Sequence, residues 1–155
     1  STTHAVTSLA TGDFDGDGIL DLVGANFRAS GPTSGSGVTL YLGNGSGGRG
    51  DATFTAGSEI AIGGNARVVV AGDWNADRIL DLAVGRADAA AIAILLGQGA
   101  SGRGNGSFAT PTSVAVAAPC VALVAADLDD DGVLDLATLG GESLSLRFGG
   151  GLFRN

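Results

Sequence analysis

An Asp-rich segment of nine residues that occurs three times is the feature that most constrains the fold of this chain. The segments cover residues 13–21, 73–81 and 127–135, so their starts are 60 and 54 residues apart. An apolar run precedes each segment, a second apolar run follows it, and a third run then ends on glycine. Self-similarity at a regular spacing is typical of repeat architectures. The sequence therefore predicts three similar structural units in one domain, 1–155.

The apolar runs predict β-strands. They are short, rich in Val, Ile, Leu and Thr, and several alternate with period two. Gly or Asp interrupts every stretch before a helix could reach three turns. A fourth run, 58–62 or 113–117, follows in the first two units, and the third unit stops at Asn155 before such a run. Four-stranded units repeated in series are typical of a β-propeller.

We therefore predict an all-β fold, a β-propeller of four-stranded antiparallel blades with three blades per chain. The blades cover about 5–63, 64–117 and 118–155, and the last lacks its outer strand. An open β-solenoid or a β-sandwich is the alternative. The Gly-rich stretches 44–53 and 98–107 are read as long turns between the third and fourth strands.

The Asp-rich segments predict calcium sites in the loop between the first two strands of each unit. Ca²⁺ takes six to eight oxygen ligands, which a short curling loop can supply. Carboxylates or amides at positions 1, 3, 5 and 9 and the backbone carbonyl at position 7 are the candidate ligands. They are Asp13, Asp15, Asp17, Ile19 and Asp21; Asp73, Asn75, Asp77, Ile79 and Asp81; and Asp127, Asp129, Asp131, Val133 and Asp135.

Two other interpretations of these loops are that Asp only caps turns, or that the ion is Mg²⁺. Up to three Ca²⁺ are expected, and the second loop is expected to bind most weakly. There Asn75 replaces a carboxylate, and Arg78 stands where the other loops have glycine. That position needs a positive φ, which costs a non-glycine residue about 1 kcal/mol, and a guanidinium opposes a dication.

Charge and composition exclude several functions. The net charge is −8, and twelve of the sixteen acidic residues lie in the three loops, so three Ca²⁺ would change it to −2. Nucleic acid is not an expected partner, because phosphates need a basic face. No apolar run is long enough to span a membrane. Cys120 is the only cysteine and reads as a small buried hydrophobe, and His4 is the only histidine. With no nucleophile and base pair in view, we expect no enzyme activity.

The first repeat resembles the FG-GAP/VCBS repeat family through the run Gly12-Asp-Phe-Asp-Gly-Asp-Gly-Ile-Leu-Asp-Leu-Val-Gly-Ala25. Equivalent runs begin at Gly72 and Ala126, and the turns at Leu42-Gly-Asn-Gly and Leu96-Gly-Gln-Gly fit the same family. The resemblance implies an integrin-like propeller with Ca²⁺ between the first two strands of a blade. It also implies a secreted or cell-surface protein.

Three blades cannot close a ring, because propellers contain about four to eight blades. We expect either self-association, such as a homodimer of three-blade chains, or further blades in a longer chain. The chain has no Met, so we expect a processed product or an excerpt. Arg49-Gly50-Asp51 spells an integrin-recognised tripeptide, yet the next repeat has Arg103-Gly104-Asn105, which indicates a feature of the Gly-rich stretch itself.

The expected function is a non-enzymatic, calcium-stabilised propeller segment that serves adhesion or ligand binding outside the cell. A lectin is the second candidate, since some related propellers bind glycans. It is weakly supported, because Trp74 aligns with Phe14 and Leu128 and is expected to pack beside its loop. An appendage of a larger secreted enzyme is the third. The ligand, protein or glycan, is not named by the sequence.

Overall fold

The computed structural model describes residues 5–28 and 36–147 of the chain. Every regular element within these residues is a β-strand, so the all-β prediction is confirmed, and this part contains no helix able to cross a membrane. His4, Phe153 and the end of the third apolar run after Arg147 lie outside the described residues. The strands are β1 Ala5–Gly12, β2 Asp21–Phe27, β3 Gly37–Ser46, β4 Arg49–Ala61, β5 Ala66–Gly72, β6 Asp81–Arg86, β7 Ala91–Leu95, β8 Gly97–Ala100, β9 Arg103–Phe108, β10 Thr112–Ala115, β11 Ala122–Ala126, β12 Asp135–Gly140 and β13 Ser143–Arg147.

The strands form antiparallel sheets, one for each predicted repeat. The first sheet has the order β1-β2-β3-β4, the second β5-β6-β7-β10, and the third, within the described residues, β11-β12-β13. A separate two-stranded ribbon, β8-β9, lies between β7 and β10 in the chain. Apart from the ribbon inserted between β7 and β10, neighbouring strands are consecutive because each hairpin returns the chain beside itself. The described residues thus show four, four and three strands in the three main sheets.

Each Asp loop closes the hairpin between the first two strands of its sheet. The register pairs Gly12 with Asp21, Gly72 with Asp81, and Ala126 with Asp135. The ninth loop residue is therefore the first residue of the outgoing strand in all three repeats. This is the placement that the sequence predicted.

The Gly-rich stretches are strands, and reading them as long turns was wrong. In the first repeat β3 and β4 stay paired out to Ser46 and Arg49, and in the second β8 pairs with β9. Each ribbon turns through two residues with positive φ, as type I′ hairpins require: Gly47 and Gly48, then Ser101 and Gly102. Glycine has no side chain to show an alternating pattern, so the sequence concealed these strands. We call them the first ribbon (43–54) and the second ribbon (97–108).

The three sheets pack in series, with the second between the other two. Along β6 and β7, alternate side chains point to opposite faces: Leu82 and Leu95 join a core shared with the first sheet, whereas Ile92 and Ile94 join one shared with the third. Among the first strands, β5 contacts both β1 and β11. The described residues show stacked antiparallel sheets, and the closed propeller remains a prediction.

Two single-copy residues lie where the sequence predicted. Trp74 is 1% exposed and Cys120 is 1% exposed, and both belong to the core between the second and third sheets. Cys120 is a free thiol whose pKa is raised by burial. Both residues therefore contribute to packing between sheets.

Candidate metal centres

The backbone of each Asp loop turns through two left-handed residues, at positions 4 and 6. The φ values are 75° and 86° for Gly16 and Gly18, 61° and 68° for Ala76 and Arg78, and 60° and 83° for Asp130 and Gly132. The sequence predicted the positive φ at position 6. It missed position 4, where only the first loop has the glycine that would have indicated it.

The carboxylate at position 1 holds the turn together in every loop. Asp13 accepts hydrogen bonds from the backbone N–H groups of Gly16 and Gly18, at 2.7 and 3.0 Å. In the other two loops the donors belong to positions 5 and 6: Asp77 and Arg78 for Asp73, and Asp131 and Gly132 for Asp127. Both oxygens of this carboxylate therefore face the inside of the turn.

The carboxylate at position 9 is buried and ties the two ends of the loop together. Asp21, Asp81 and Asp135 are at most 1% exposed. Each accepts a hydrogen bond from the backbone N–H at position 2, at 2.8, 3.0 and 2.8 Å. The second oxygen of Asp21 accepts the N–H of Gly43, and that of Asp81 accepts the N–H of Gly97, both at 2.8 Å. The loop is thus fixed to the strand that runs into its own ribbon.

Two of the loops bring three carboxylates together. One oxygen each from Asp13, Asp15 and Asp21 lies within 4.8 Å of the others, and Asp127, Asp129 and Asp135 form the same arrangement. Two oxygens bound to one Ca²⁺ at about 2.4 Å are at most about 4.8 Å apart. These residues therefore fit a single calcium ion in type, charge and separation.

The carboxylates at position 5 are not part of these clusters. Asp17, Asp77 and Asp131 each accept a hydrogen bond from the backbone N–H two residues later, at 2.7–2.8 Å. They lie on the same short turn, so their role as ligands stays a prediction. The same holds for the carbonyl groups of Ile19, Ile79 and Val133.

The second loop uses its amide internally. Asn75 donates to Asp77 Oδ2 at 3.0 Å and accepts the Asp77 N–H at 3.1 Å. Among the described residues, no cluster of three carboxylates forms in this loop. Asp15 of the first loop likewise accepts the Asp17 N–H, so what sets Asn75 apart is the hydrogen bond that it donates to the Asp77 carboxylate.

Several of the carboxyl groups are unfavourably placed for a negative charge. Burial raises the pKa of Asp81 to about 6, with smaller contributions from the charges of Asp77 and Asp73, although N–H donors from Gly97 and Trp74 oppose the shift. Burial and neighbouring Asp charges also raise the pKa of Asp15 and of Asp129. A bound dication would stabilise these carboxylates in their charged form.

The second ribbon covers the first Asp loop from the neighbouring repeat. The Gly106 N–H donates to the Phe14 carbonyl oxygen at 2.9 Å, and the Arg103 guanidinium donates to the Gly16 carbonyl oxygen. The Phe14 and Phe108 rings are 6.0 Å apart, a separation typical of aromatic pairs. Sequence reasoning missed this contact, and the Arg-Gly pair repeated in both ribbons was the available signal.

The Arg49-Gly50-Asp51 tripeptide is part of the first ribbon. Asp51 Oδ1 accepts hydrogen bonds from the Thr53 N–H and hydroxyl, at 2.9 and 2.6 Å, which lower the pKa of Asp51. In the second ribbon Asn105 makes the same two bonds to Ser107. The acidic residue thus has the local structural role that its neutral counterpart has.

Comparison with known families matches these repeats to one family. The sequence model described as FG-GAP-like repeat matches residues 13–84 and 73–138, which together cover most of the chain. The chain belongs to the FG-GAP-like repeat family. Each FG-GAP match starts at the first residue of an Asp loop, and the two matches overlap on the second loop. Among curated proteins, none matches the chain.

Proposed function

We propose that this chain is a calcium-binding segment of an FG-GAP β-propeller, with a role in adhesion or ligand binding outside the cell. One observation carries the proposal. The first and third loops each bring three Asp oxygens within 4.8 Å in a chain of the FG-GAP-like family. Ligand recognition and extracellular location follow from the likeness of FG-GAP repeats to integrin propellers.

Calcium explains the loops better than turn capping does. The carboxylates at positions 1 and 9 accept backbone hydrogen bonds, as capping residues would. Asp15 and Asp129 also accept the backbone N–H two residues later. Such capping does not require three carboxylates to converge within 4.8 Å against their mutual repulsion. A cation with many oxygen ligands offsets that repulsion. Mg²⁺ retains more of its water and uses fewer protein ligands, so Ca²⁺ is the ion that suits a donor-rich loop.

A non-enzymatic role agrees with the chemistry of the described residues. No histidine lies in 5–28 or 36–147, and the Cys120 thiol is buried with a raised pKa. A Ser-His or Cys-His pair, the common way to activate a nucleophile, therefore has no candidates in this part of the chain. Trp74 is buried between sheets and is not available to stack on a sugar, so this side chain does not favour a lectin.

Calorimetric titration of the chelator-treated protein with Ca²⁺ tests the proposal. We expect two tighter sites and one weaker site, together with a rise in melting temperature. Asp13→Asn and Asp127→Asn should each remove one of the tighter sites. Asp51→Asn is the matched control, because it removes the same charge from a hydrogen-bonded Asp outside the loops.

The proposal fails if Ca²⁺ produces neither heat nor a change in melting temperature. It also fails if Asp51→Asn lowers the number of sites as Asp13→Asn does, since binding would then report net charge alone. Titration with Mg²⁺ under the same conditions should give weaker binding. Tighter binding of Mg²⁺ than of Ca²⁺ would assign the loops to magnesium.

A further inference from the structure

The contact between the second ribbon and the first Asp loop has an unfilled counterpart in the first repeat. The two ribbons are equivalent with an offset of 54 residues, so Arg49, Gly50 and Phe54 correspond to Arg103, Gly104 and Phe108. Their backbones agree as well: φ is 72° for both Gly48 and Gly102, and 67° and 74° for Ala52 and Gly106. The first ribbon therefore has the shape that docks on an Asp loop.

The face that docks is covered in the second ribbon and open in the first. Residues 104, 106 and 108 are half-buried, whereas residues 50, 52 and 54 are exposed, and Phe54 is 44% exposed. Leu20, Arg49, Gly50, Ala52 and Phe54 line one cavity of about 350 Å³. We call these five residues the repeat-1 face.

The third Asp loop has the complementary exposed surface. Position 2 is Phe14 in the first loop and Trp74 in the second, at 3% and 1% exposed, but Leu128 in the third is 49% exposed. In the same way Leu80 and Leu134 pack against Gly12 and Gly72 of the preceding repeat, whereas the equivalent Leu20 is 66% exposed. The two halves of an inter-repeat contact thus lie open at opposite ends of the series.

We propose that the repeat-1 face binds the third Asp loop of a second copy of this chain. Arg49 would donate to the Asp130 carbonyl as Arg103 does to Gly16, Ala52 would donate its N–H to the Leu128 carbonyl, and Phe54 would cover the Leu128 side chain. This interface goes beyond calcium binding and joins copies head to tail.

Charge complementarity favours the third loop as the occupant. A Cβ added at Gly16 would lie 3.1 Å from both Arg103 Cβ and the Gly104 carbonyl oxygen, and 3.3 Å from Arg103 Nε. The third loop has Asp130 at this position, with a φ of 60° close to the 75° of Gly16. Its carboxylate would therefore lie beside the Arg49 guanidinium after a small adjustment. Charge-assisted hydrogen bonds of this kind are among the stronger ones.

The space available at the contact also favours an Asp loop as the occupant of the repeat-1 face. A Cβ at Gly104 would overlap the Phe14 carbonyl oxygen, so the second ribbon must have glycine there. The first ribbon keeps glycine at this position, Gly50, although within the chain an added Cβ would meet only the Ile19 side chain at 3.2 Å and the Asn44 carbonyl oxygen at an ordinary 3.7 Å. Ala52 is tolerated at this contact, because a Cβ added at its counterpart Gly106 would lie 3.4 Å from Asp15 Cβ, which is an ordinary van der Waals distance. Ala126 stands where the first two repeats have Gly12 and Gly72, the glycines against which Leu80 and Leu134 pack. In the proposed interface the flexible end of the Leu20 side chain must rotate away from the Ala126 methyl group.

The test is sedimentation equilibrium of the calcium-loaded chain over a range of concentrations. We expect the wild type to associate into dimers or larger species. Arg49→Glu and, separately, Leu128→Glu should each weaken association by about 10-fold to 100-fold. Gly50→Ala should weaken it as well without changing the charge. All three positions are exposed or open, and circular dichroism checks that the variants fold.

Mixing identifies the occupant. Arg49→Glu keeps an intact third loop and Leu128→Glu keeps an intact repeat-1 face, so an equimolar mixture should form a dimer that neither variant forms alone. Arg67→Glu is the matched control, because it reverses an exposed Arg in the middle repeat and should associate like the wild type.

Three results would overturn the proposal. The first is a monomeric wild type, which would leave this face for another repeat or another partner. The second is association that survives both Arg49→Glu and Leu128→Glu, or that Arg67→Glu weakens equally. The third is a mixture that stays monomeric, which indicates a symmetric contact instead of a head-to-tail one. Calcium titration of the monomeric Arg49→Glu variant is read separately, so the two proposals can fail independently.

Discussion

The first and second Asp loops share one framework but differ in what fills it. Both are held by the carboxylates at positions 1 and 9, through nearly the same backbone hydrogen bonds. At the two left-handed positions the first loop has Gly16 and Gly18, whereas the second has Ala76 and Arg78. A left-handed residue other than glycine costs about 1 kcal/mol. The framework therefore specifies the turn, and the residues that fill it determine how favourable the turn is.

The two loops also differ in what surrounds the candidate ion. In the first loop Asp15 completes a cluster of three carboxylates, and in the second its counterpart Asn75 donates a hydrogen bond to the Asp77 carboxylate. The first loop is covered by the second ribbon through Arg103. Loop chemistry and packing between repeats are therefore linked. The second ribbon contacts the first loop, and it begins at Gly97, whose N–H is bound by Asp81 of the second loop.

The largest expected effect comes from breaking the cover over the first loop. Gly104→Ala places a Cβ against the Phe14 carbonyl oxygen, which is backbone and cannot turn aside. We expect the free energy of unfolding to fall by about 2 kcal/mol, as for other overpacked sites. Calcium affinity should fall at the first loop more than at the second. Urea denaturation and calorimetry measure the two effects.

Gly50→Ala, measured at concentrations where the chain is monomeric, is the matched control for that change, because it adds the same methyl group to the equivalent glycine of the open ribbon. There the added Cβ meets a side chain at 3.2 Å, so stability should change by less than about 0.5 kcal/mol. Equal losses from the two variants would mean that glycine is needed for the ribbon itself, and not for its contact with the first loop.

Converting the second loop toward the first should have the next largest effect. Asn75→Asp supplies the third carboxylate, and Arg78→Gly removes both a left-handed arginine and a positive charge. We expect the double variant to bind Ca²⁺ about tenfold more tightly at this site, or about 1.4 kcal/mol. Titration of the double variant beside the wild type measures it. An unchanged affinity would show that the weakness predicted for the second loop has another source.

Much of this arrangement could be predicted from the sequence, for identifiable reasons. Asp residues at fixed spacing between alternating runs predicted the hairpins, and Gly18 and Gly132 indicated the left-handed turn at position 6. The ribbons were missed because glycine-dense strands carry no pattern of side chains. The contact of Arg103 with Gly16 spans two repeats, so no local pattern could report it. Proximity across repeats depends on how sheets stack, which periodicity does not specify.

A reciprocal exchange at position 4 should give a smaller effect on stability. Ala76→Gly relieves a left-handed alanine, but it also adds freedom to the unfolded chain, so we expect a gain of about 0.5 kcal/mol. Gly16→Ala should cost about 1 kcal/mol or more, because it introduces that strain and brings a Cβ within 3.1 Å of Arg103. Thermal or urea denaturation of both variants tests the pair. If Ala76→Gly instead lowered stability, backbone strain at position 4 could not explain the difference between the two loops.

The smallest expected effect tests whether the second repeat is weaker as a whole or only in its loop. Asp88, between β6 and β7, forms an ion pair with Arg86 at 2.9 Å and accepts the Asn65 N–H. These bonds lower the pKa of Asp88, and the hydrogen bond from Arg86 contributes most. A depressed carboxyl pKa contributes stability above its ordinary value of 3.8, and that contribution is lost as the pH falls through the folded-state value.

Asp88→Asn should therefore lower the free energy of unfolding by about 0.5 kcal/mol at neutral pH, a figure reduced by solvent screening of a surface pair. The difference from the wild type should disappear under acidic conditions below the pKa of Asp88. Denaturation as a function of pH measures it, with calcium affinity measured in parallel. The affinity of the second loop should not change, because Asp88 follows the end of β6 whereas Asp81 is its first residue. If affinity falls with stability, the contrast between the loops belongs to the whole repeat and not to Asn75 and Arg78.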